Sequence, residues 1–442
     1  MDRAITDLVN LIDPSTQRLI GSTADAARDL MRSASPAALS TLKGSYALVA
    51  RDGEKVLLAR SLDRPLRYFL AKQQSGPLLV IAERIDAIKS WLDGQGYGDQ
   101  FHPSYTRMAP AHHVTQLRLL GCPDPNPVYT RFFDPPMATE STDLDQLGES
   151  YVRALAATIQ DWLLAQDAEQ PIGVLFSGGV DSGAVLLCIH DLMLRLGLSP
   201  ARLKAFTLAV DGGGSDSTQA REFLRAVDLE FLGESVEVAA DTLDPLAAVA
   251  LIEDYKPRDV ECATVNQALL AALRERYPDW RLLVDGDGGD ENFKDYPIEE
   301  NLELTIRSVI NNSMLYQEGW GVDSIKHSLT YSGGYSRGCV RTYAPCRHYD
   351  FVGFSPYAQP AVISAAEAAP FAALTDGSVE ALYQLKGEIM RRGMQSVFGR
   401  TLPVFPKRRF QEGATPEAVF AQLFAGGEVA YRAHFLATHA NP

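Results

Sequence analysis

Cysteine is scarce in this chain and nowhere paired at short spacing. The five cysteines, Cys122, Cys188, Cys262, Cys339 and Cys346, are scattered over 442 residues. None forms a CxxC, which excludes a zinc ribbon and a thioredoxin-type redox pair. They read as reduced, buried small hydrophobes of a cytoplasmic protein. Long apolar runs are missing as well: every apolar stretch is too short or too interrupted for the roughly 20 residues that cross a bilayer. The start, MDRAITDLVNLIDPSTQ, lacks a basic segment ahead of an apolar one and does not read as a signal peptide. Basic residues are in the minority, with 41 Lys and Arg against 56 Asp and Glu, for a net charge of −15. That balance argues against a surface built to hold a phosphate backbone. Neither a membrane nor a nucleic acid is therefore expected as a partner.

What is present is an ordinary globular balance, 46% hydrophobic and 22% charged, long enough for two or three domains at roughly 150 residues each. Residues 44–60 hold two apolar runs joined by Arg51-Asp52-Gly53-Glu54, a hairpin signal. Residues 77–82, PLLVIA, predict another strand, and residues 86–92 a helix. Residues 121–145 are dense in Pro, Asp and Ser/Thr and carry no sustained period. The expected division is a β-rich domain over 1–125, a linker over 126–145 and a second domain over 146–442. In the second domain the texture alternates. A helix is expected over 147–164, a buried strand over 172–176 and a helix over 183–196. Further strands are expected over 203–210 and 281–284, a helix over 264–276, and a mainly helical tail from 363. Short apolar strands between helices predict an α/β fold with a doubly wound parallel sheet.

At the junction of the first such strand and its helix stands Ser177-Gly178-Gly179-Val180-Asp181-Ser182. Two glycines allow a tight turn and a close ligand approach. The helix that follows aims its unpaired N–H groups and positive dipole end into the turn, which makes an anion site. Asp181 repels a phosphate unless a cation lies between them, so this aspartate reads as a Mg²⁺ ligand. The GxxxxGK[ST] pattern of ordinary kinases and GTPases is absent.

This hexapeptide resembles the pyrophosphate loop of the ATP pyrophosphatase superfamily. Residues 284–296, VDGDGGDENFKDY, are similar to the acidic glycine-rich segment of the asparagine synthetase and β-lactam synthetase family within it. The resemblance implies an ATP pyrophosphatase-type synthetase domain that uses ATP and Mg²⁺, with Asp290 as the second metal ligand beside Asp181. It assigns ATP to Leu175, Phe176, Ser177, Gly178, Gly179, Asp181, Ser182, Thr207, Leu208, Asp285 and Gly286. Lys386, in LKGEIMRR, and Lys407, in PKRRFQEG, match two family lysines. Lys407 stands where an ammonium stabilises charge during amide formation. Asp287 occupies a position where β-lactam synthetases carry a tyrosine, and it reads as a general base or an amine-orienting group.

Residues 42–70 are similar to the second half of the family's glutamine amidotransferase (Ntn-type) domain, and Ile81-Ala82-Glu83 and Met108-Ala109-Pro110 continue the likeness. The first half has no counterpart, and residue 2 is Asp where the glutaminase nucleophile is Cys. A truncated domain without glutaminase activity is expected. The segment Phe354-Ser355-Pro356-Tyr357-Ala358-Gln359 departs from the family's Arg-x-Pro-Phe-Leu-Asp, and Lys294-Asp295-Tyr296 from its Gly-Gly-Tyr, so the substrate is not expected to be aspartate. The implied activity is an AMP-forming C–N ligase acting on a small carboxylic acid with ammonia or an amine, and a homodimer is admitted. Intramolecular ring closure is one alternative. A non-catalytic ATP-binding scaffold and a nucleotide-modifying thiolase are others.

Overall fold

The strand-forming residues assemble into two separate bodies of sheet. The computed structural model describes residues 5–33, 35–119, 125–136, 138–298, 304–318, 342–406 and 410–440. The first ten strands are β1 (Asp7–Asn10), β2 (Arg18–Ile20), β3 (Lys43–Ser45), β4 (Ala47–Asp52), β5 (Lys55–Arg60), β6 (Arg67–Gln73), β7 (Gly76–Ala82), β8 (Arg107–Met108), β9 (His113–Leu119) and β10 (Pro125–Arg131). They form two four-stranded sheets, ordered β1-β7-β6-β8 and β10-β9-β5-β4, and a β2-β3 pair. The Asp-Gly hairpin is the β4–β5 turn. Val49, Val56 and Leu58 of one sheet share an apolar layer with Tyr68, Leu79 and Ile81 of the other. The alternate residues face outward: Leu48 and Leu57 meet helix α1 (Ala24–Arg32), and Phe69 and Val80 meet α2 (Ile85–Gly94). Period-two alternation thus gives β4, β5, β6 and β7 two buried faces.

β10 overlaps the stretch expected to be a linker, from residue 126 onward. Its two prolines, Pro125 and Pro127, suppress a strand reading from sequence, yet β10 is the edge strand of its sheet. An edge tolerates a missing N–H on its outer side. The connection to the next helix is correspondingly shorter.

From α3 (Leu144–Leu164) onward the order becomes β11 (Ile172–Leu175), α4 (Val180–Arg195), β12 (Leu203–Val210), α5 (Asp216–Ala226), β13 (Gly233–Val238), α6 (Pro245–Ile252), α7 (Pro257–Arg276), β14 (Leu282–Val284) and, later, β15 (Val352–Phe354). All five strands are parallel in the order β13-β12-β11-β14-β15. Ile172, Val174, Leu282 and Val284 pack with α3, α4 and the helix Val379–Phe398 on one face. Phe206, Leu208 and Leu283 pack with Val265 and Leu269 of α7 on the other. Helices on both faces make the sheet doubly wound. The chain runs outward from β11 to β13, then returns to the opposite side of β11 as β14. A doubly wound sheet takes its ligand at such a reversal, beyond the carboxyl ends of the strands. Among the described residues no helix is long and apolar enough to cross a membrane.

Candidate active site

Past the ends of β11 and β14 the chain makes two turns that touch. The first, residues 176–179, enters α4 without a side-chain cap. Phe176 N–H donates to the Phe206 carbonyl at 2.8 Å, and Gly179 N–H to Ser177 Oγ at 3.3 Å, which folds the turn over the helix end. Gly178 has φ +75°, and a Cβ there would stand 2.7 Å from the Ala220 nitrogen of α5, so both its conformation and its closeness require glycine. The second turn, residues 285–288, leads into the short helix Gly289–Asn292. A Cβ on Gly289 would lie 2.3 Å from Asp181 Oδ1, and one on Gly286 2.8 Å from the Ser182 nitrogen. Glycine at these places lets the two acidic segments approach closely.

Lys386, buried on the helix Val379–Phe398, bridges the two turns. Its ammonium is 2.9 Å from Asp181 Oδ2, pairs with Asp290, and lies 3.0 Å from Asp295 Oδ2. Burial works against the charge, and the three carboxylates overcome it, holding the ammonium well above the usual lysine range. Asp295 belongs to the Lys294-Asp295-Tyr296 departure and was not expected as a site residue; its carboxylate, three before Ile298 in an acidic run, carried no spacing signal of its own. The altered segment 354–359 docks here too. Ser355 Oγ donates to Asp285 Oδ2 at 2.9 Å, and Tyr357 OH to the Asp181 carbonyl at 3.0 Å. Burial pushes the Tyr357 phenol far up, so it stays a donor. Asp287 N–H donates to Asp285 Oδ1 at 3.0 Å, and Asp287 Oδ2 accepts from Thr342 Oγ1 at 2.7 Å.

These turns wall a cleft of about 990 Å³. Leu175, Phe176, Ser177, Gly179, Asp181, Ser182, Asp285, Gly286, Asp287, Asp290 and Lys386 all line it. Gly178 is turned toward α5. Thr207 does not line the cleft; it is buried and donates from Oγ1 to the Phe176 carbonyl at 2.8 Å, supporting the first turn from behind. Leu208 is packed into the apolar face against α7. Lys407 lies outside the described residues. Sequence reasoning missed the polar stripe Arg258, Cys262 and Asn266 on α7, which also lines the cleft; its i, i+4, i+8 spacing was the available signal.

Among the described lining residues, nine carboxylates (Asp181, Asp216, Asp259, Asp285, Asp287, Asp290, Asp295, Glu388 and Glu412) stand against Arg258, Lys386 and Arg391. A polyphosphate enters such a cleft only with added positive charge. No group of three or more His, Cys, Asp or Glu side chains forms a metal cage among the described residues. Two carboxylates facing a cleft are instead the kind of donor set Mg²⁺ shares with substrate phosphates. Asp181 and Asp290, drawn together on one ammonium with Gly289 leaving room between, fit that ion.

Residues 153–327 match the family model for asparagine synthase. Over this segment the chain is asparagine synthetase-like. The matched span takes in β11 to β14 and both turns of the cleft, and ends before Thr342, Ser355 and Lys386. No curated protein matches the chain. That match points to an ATP-dependent ligase that forms amide bonds.

Proposed function

We propose that this asparagine synthetase-like chain adenylates a substrate carboxylate with ATP and Mg²⁺, releases pyrophosphate, and joins the activated acid to ammonia or an amine without hydrolysing glutamine. The observation that carries this reading is the meeting of Asp181, Asp290 and Lys386 in front of the uncapped end of α4. Ser177, Gly179 and Ser182 would hold the phosphates by main-chain N–H and hydroxyl groups. Asp181 and Asp290 would hold the magnesium ion, which when bound neutralises phosphate charge. Lys386, freed from its carboxylates, would follow the charge onto the departing pyrophosphate, and Lys407 would meet the charge on the acyl group.

An oxygen of the acid attacks the α-phosphorus, and the P–O bond to pyrophosphate breaks. The amine nitrogen then attacks the acyl carbon and gives up a proton, and the bonding pair of the C–O bond leaves with AMP. Asp287, on the cleft wall, is the carboxylate that receives or orients that N–H.

The test is pyrophosphate release from ATP and Mg²⁺ with a panel of amino acids, with and without ammonium. Release that requires ammonium supports transfer, and release with loss of water from an amino-bearing acid alone supports ring closure. Asp181→Ala lowers release by about a thousandfold or more. Glutamine yields no glutamate above a buffer control. Absence of release with every acid, alongside intact ATP binding, would overturn this reading in favour of a scaffold.

A further inference from the structure

The N-terminal sheets have no part in the chemistry above, yet they reach the acidic turn through two consecutive residues. Thr342 is buried and holds Asp287 Oδ2 from the cleft wall at 2.7 Å. Tyr343, its neighbour, engages the N-terminal strands: its hydroxyl donates to Glu83 Oε2 at 3.3 Å, and the Arg64 guanidinium lies 5.3 Å from its ring centroid. Arg64 is fully buried, pairs with Glu83, and donates to the Thr16 carbonyl and hydroxyl at 2.8 Å each. Leu62, from the same strand connection, borders a void of about 10 Å³ directly behind Asp287 and Gly288.

We propose that Thr342 is a positioning residue that sets the direction of the Asp287 carboxylate, and that the N-terminal domain holds Thr342 in place through Arg64, Glu83 and Tyr343. This rests on the reading of Asp287 as the group that meets the amine. A carboxylate on a turn rotates about its last bond unless one oxygen is held, and a charge-assisted hydrogen bond from a buried hydroxyl holds it. The main chain of Asp287 is anchored separately, on Asp285 Oδ1, and the Thr342 contact acts on the side chain. Because Thr342 and Tyr343 are adjacent, whatever fixes the tyrosine against Glu83 and Arg64 also fixes the threonine. A domain without glutaminase chemistry thereby keeps a purpose: it is the abutment of the amide-forming carboxylate.

The experiment is hydrogen exchange on the full-length protein without nucleotide, followed in peptides covering residues 285–295. There Asp287 N–H is held by Asp285, Asn292 N–H by Gly288 and Asp295 N–H by Asp290. Thr342→Val should speed exchange in this stretch about tenfold, the loss of one hydrogen bond to a charged acceptor. Thr342→Ser, which keeps the hydroxyl, should restore it to within about twofold, and Tyr343→Phe should give about a threefold rise. Peptides from β11 and α4 should not change. Unchanged exchange at 285–295 in Thr342→Val and Tyr343→Phe, or a serine variant as fast as the valine one, overturns the proposal. Should Thr342→Val not fold, Tyr343→Phe decides alone. Nucleotide plays no part in this measurement, so a protein indifferent to ATP would undo the reading of the site and leave this result standing.

Discussion

Two buried lysines serve the same acidic segment, and their surroundings set them in opposite directions. Lys386 lies at the cleft, among Asp181, Asp290 and Asp295. Lys294 lies behind it, with its side chain 1% exposed, 3.1 Å from Glu367 Oε2 and 4.9 Å from the centre of the Phe371 ring. Burial disfavours the charge at both. Around Lys386 three carboxylates reverse that effect, whereas the single carboxylate at Lys294 does not, and its ammonium is held below the usual lysine range. Depth of burial alone therefore does not tell a working cation from a structural one. The number of carboxylates, and whether they face a cleft, does. In the proposed chemistry Lys386 is the cation that an incoming phosphate draws away, while Lys294 and Glu367 form a lock that also caps the Met314 N–H at 2.7 Å.

The largest effect expected from breaking this contrast is on turnover. Lys386→Met should cut pyrophosphate release by about a thousandfold or more; activity within tenfold of wild type would remove Lys386 from the chemistry. Next comes stability. Lys294→Met leaves Glu367 buried without its cation and should cost about 3–5 kcal/mol in urea unfolding, while Lys294→Met with Glu367→Leu should recover most of that. An equal cost in the double variant would mean the pair is not a lock.

The smallest effect sharpens the comparison through pH. The raised value at Lys386 means that its stabilisation is complete below the ordinary 10.5 and fades only as pH climbs through the higher folded value. At Lys294 the folded value is depressed, so the wild type gains stability from this group as pH rises through that value toward 10.5. As pH rises toward 10.5 the stability gap between wild type and Lys294→Met should widen, and the gap for Lys386→Met should stay constant. Parallel behaviour of the two gaps would contradict the assigned environments.

Much of this was legible in the residues. Short apolar strands between helical stretches foretold the parallel sheet, and β12 falls where the run 203–210 placed it. The two glycine-rich turns stood out because glycine next to carboxylate has few structural uses. The remainder was hidden for physical reasons. The prolines of β10 obscured a strand whose edge position tolerates them. Thr207 and Leu208 lie within β12, the strand beside the first turn, but alternation sends their side chains behind the turn and into the opposite apolar face. Asp295 and Thr342 become site residues only when separate segments fold onto one cleft, and no local spacing announces that.

The central claim is that Asp181 and Asp290 hold a cation which presents ATP to an acid. It is tested most directly by a crystal structure of the protein with Mg²⁺ and a non-hydrolysable ATP analogue cleaved at neither phosphate bridge. The account predicts the triphosphate against Ser177, Gly179 and Ser182, a metal ion touching both aspartates, and the Lys386 ammonium moved from between them to a phosphate oxygen. A nucleotide bound elsewhere, or bound here with Lys386 still bridging Asp181 and Asp290, would contradict it.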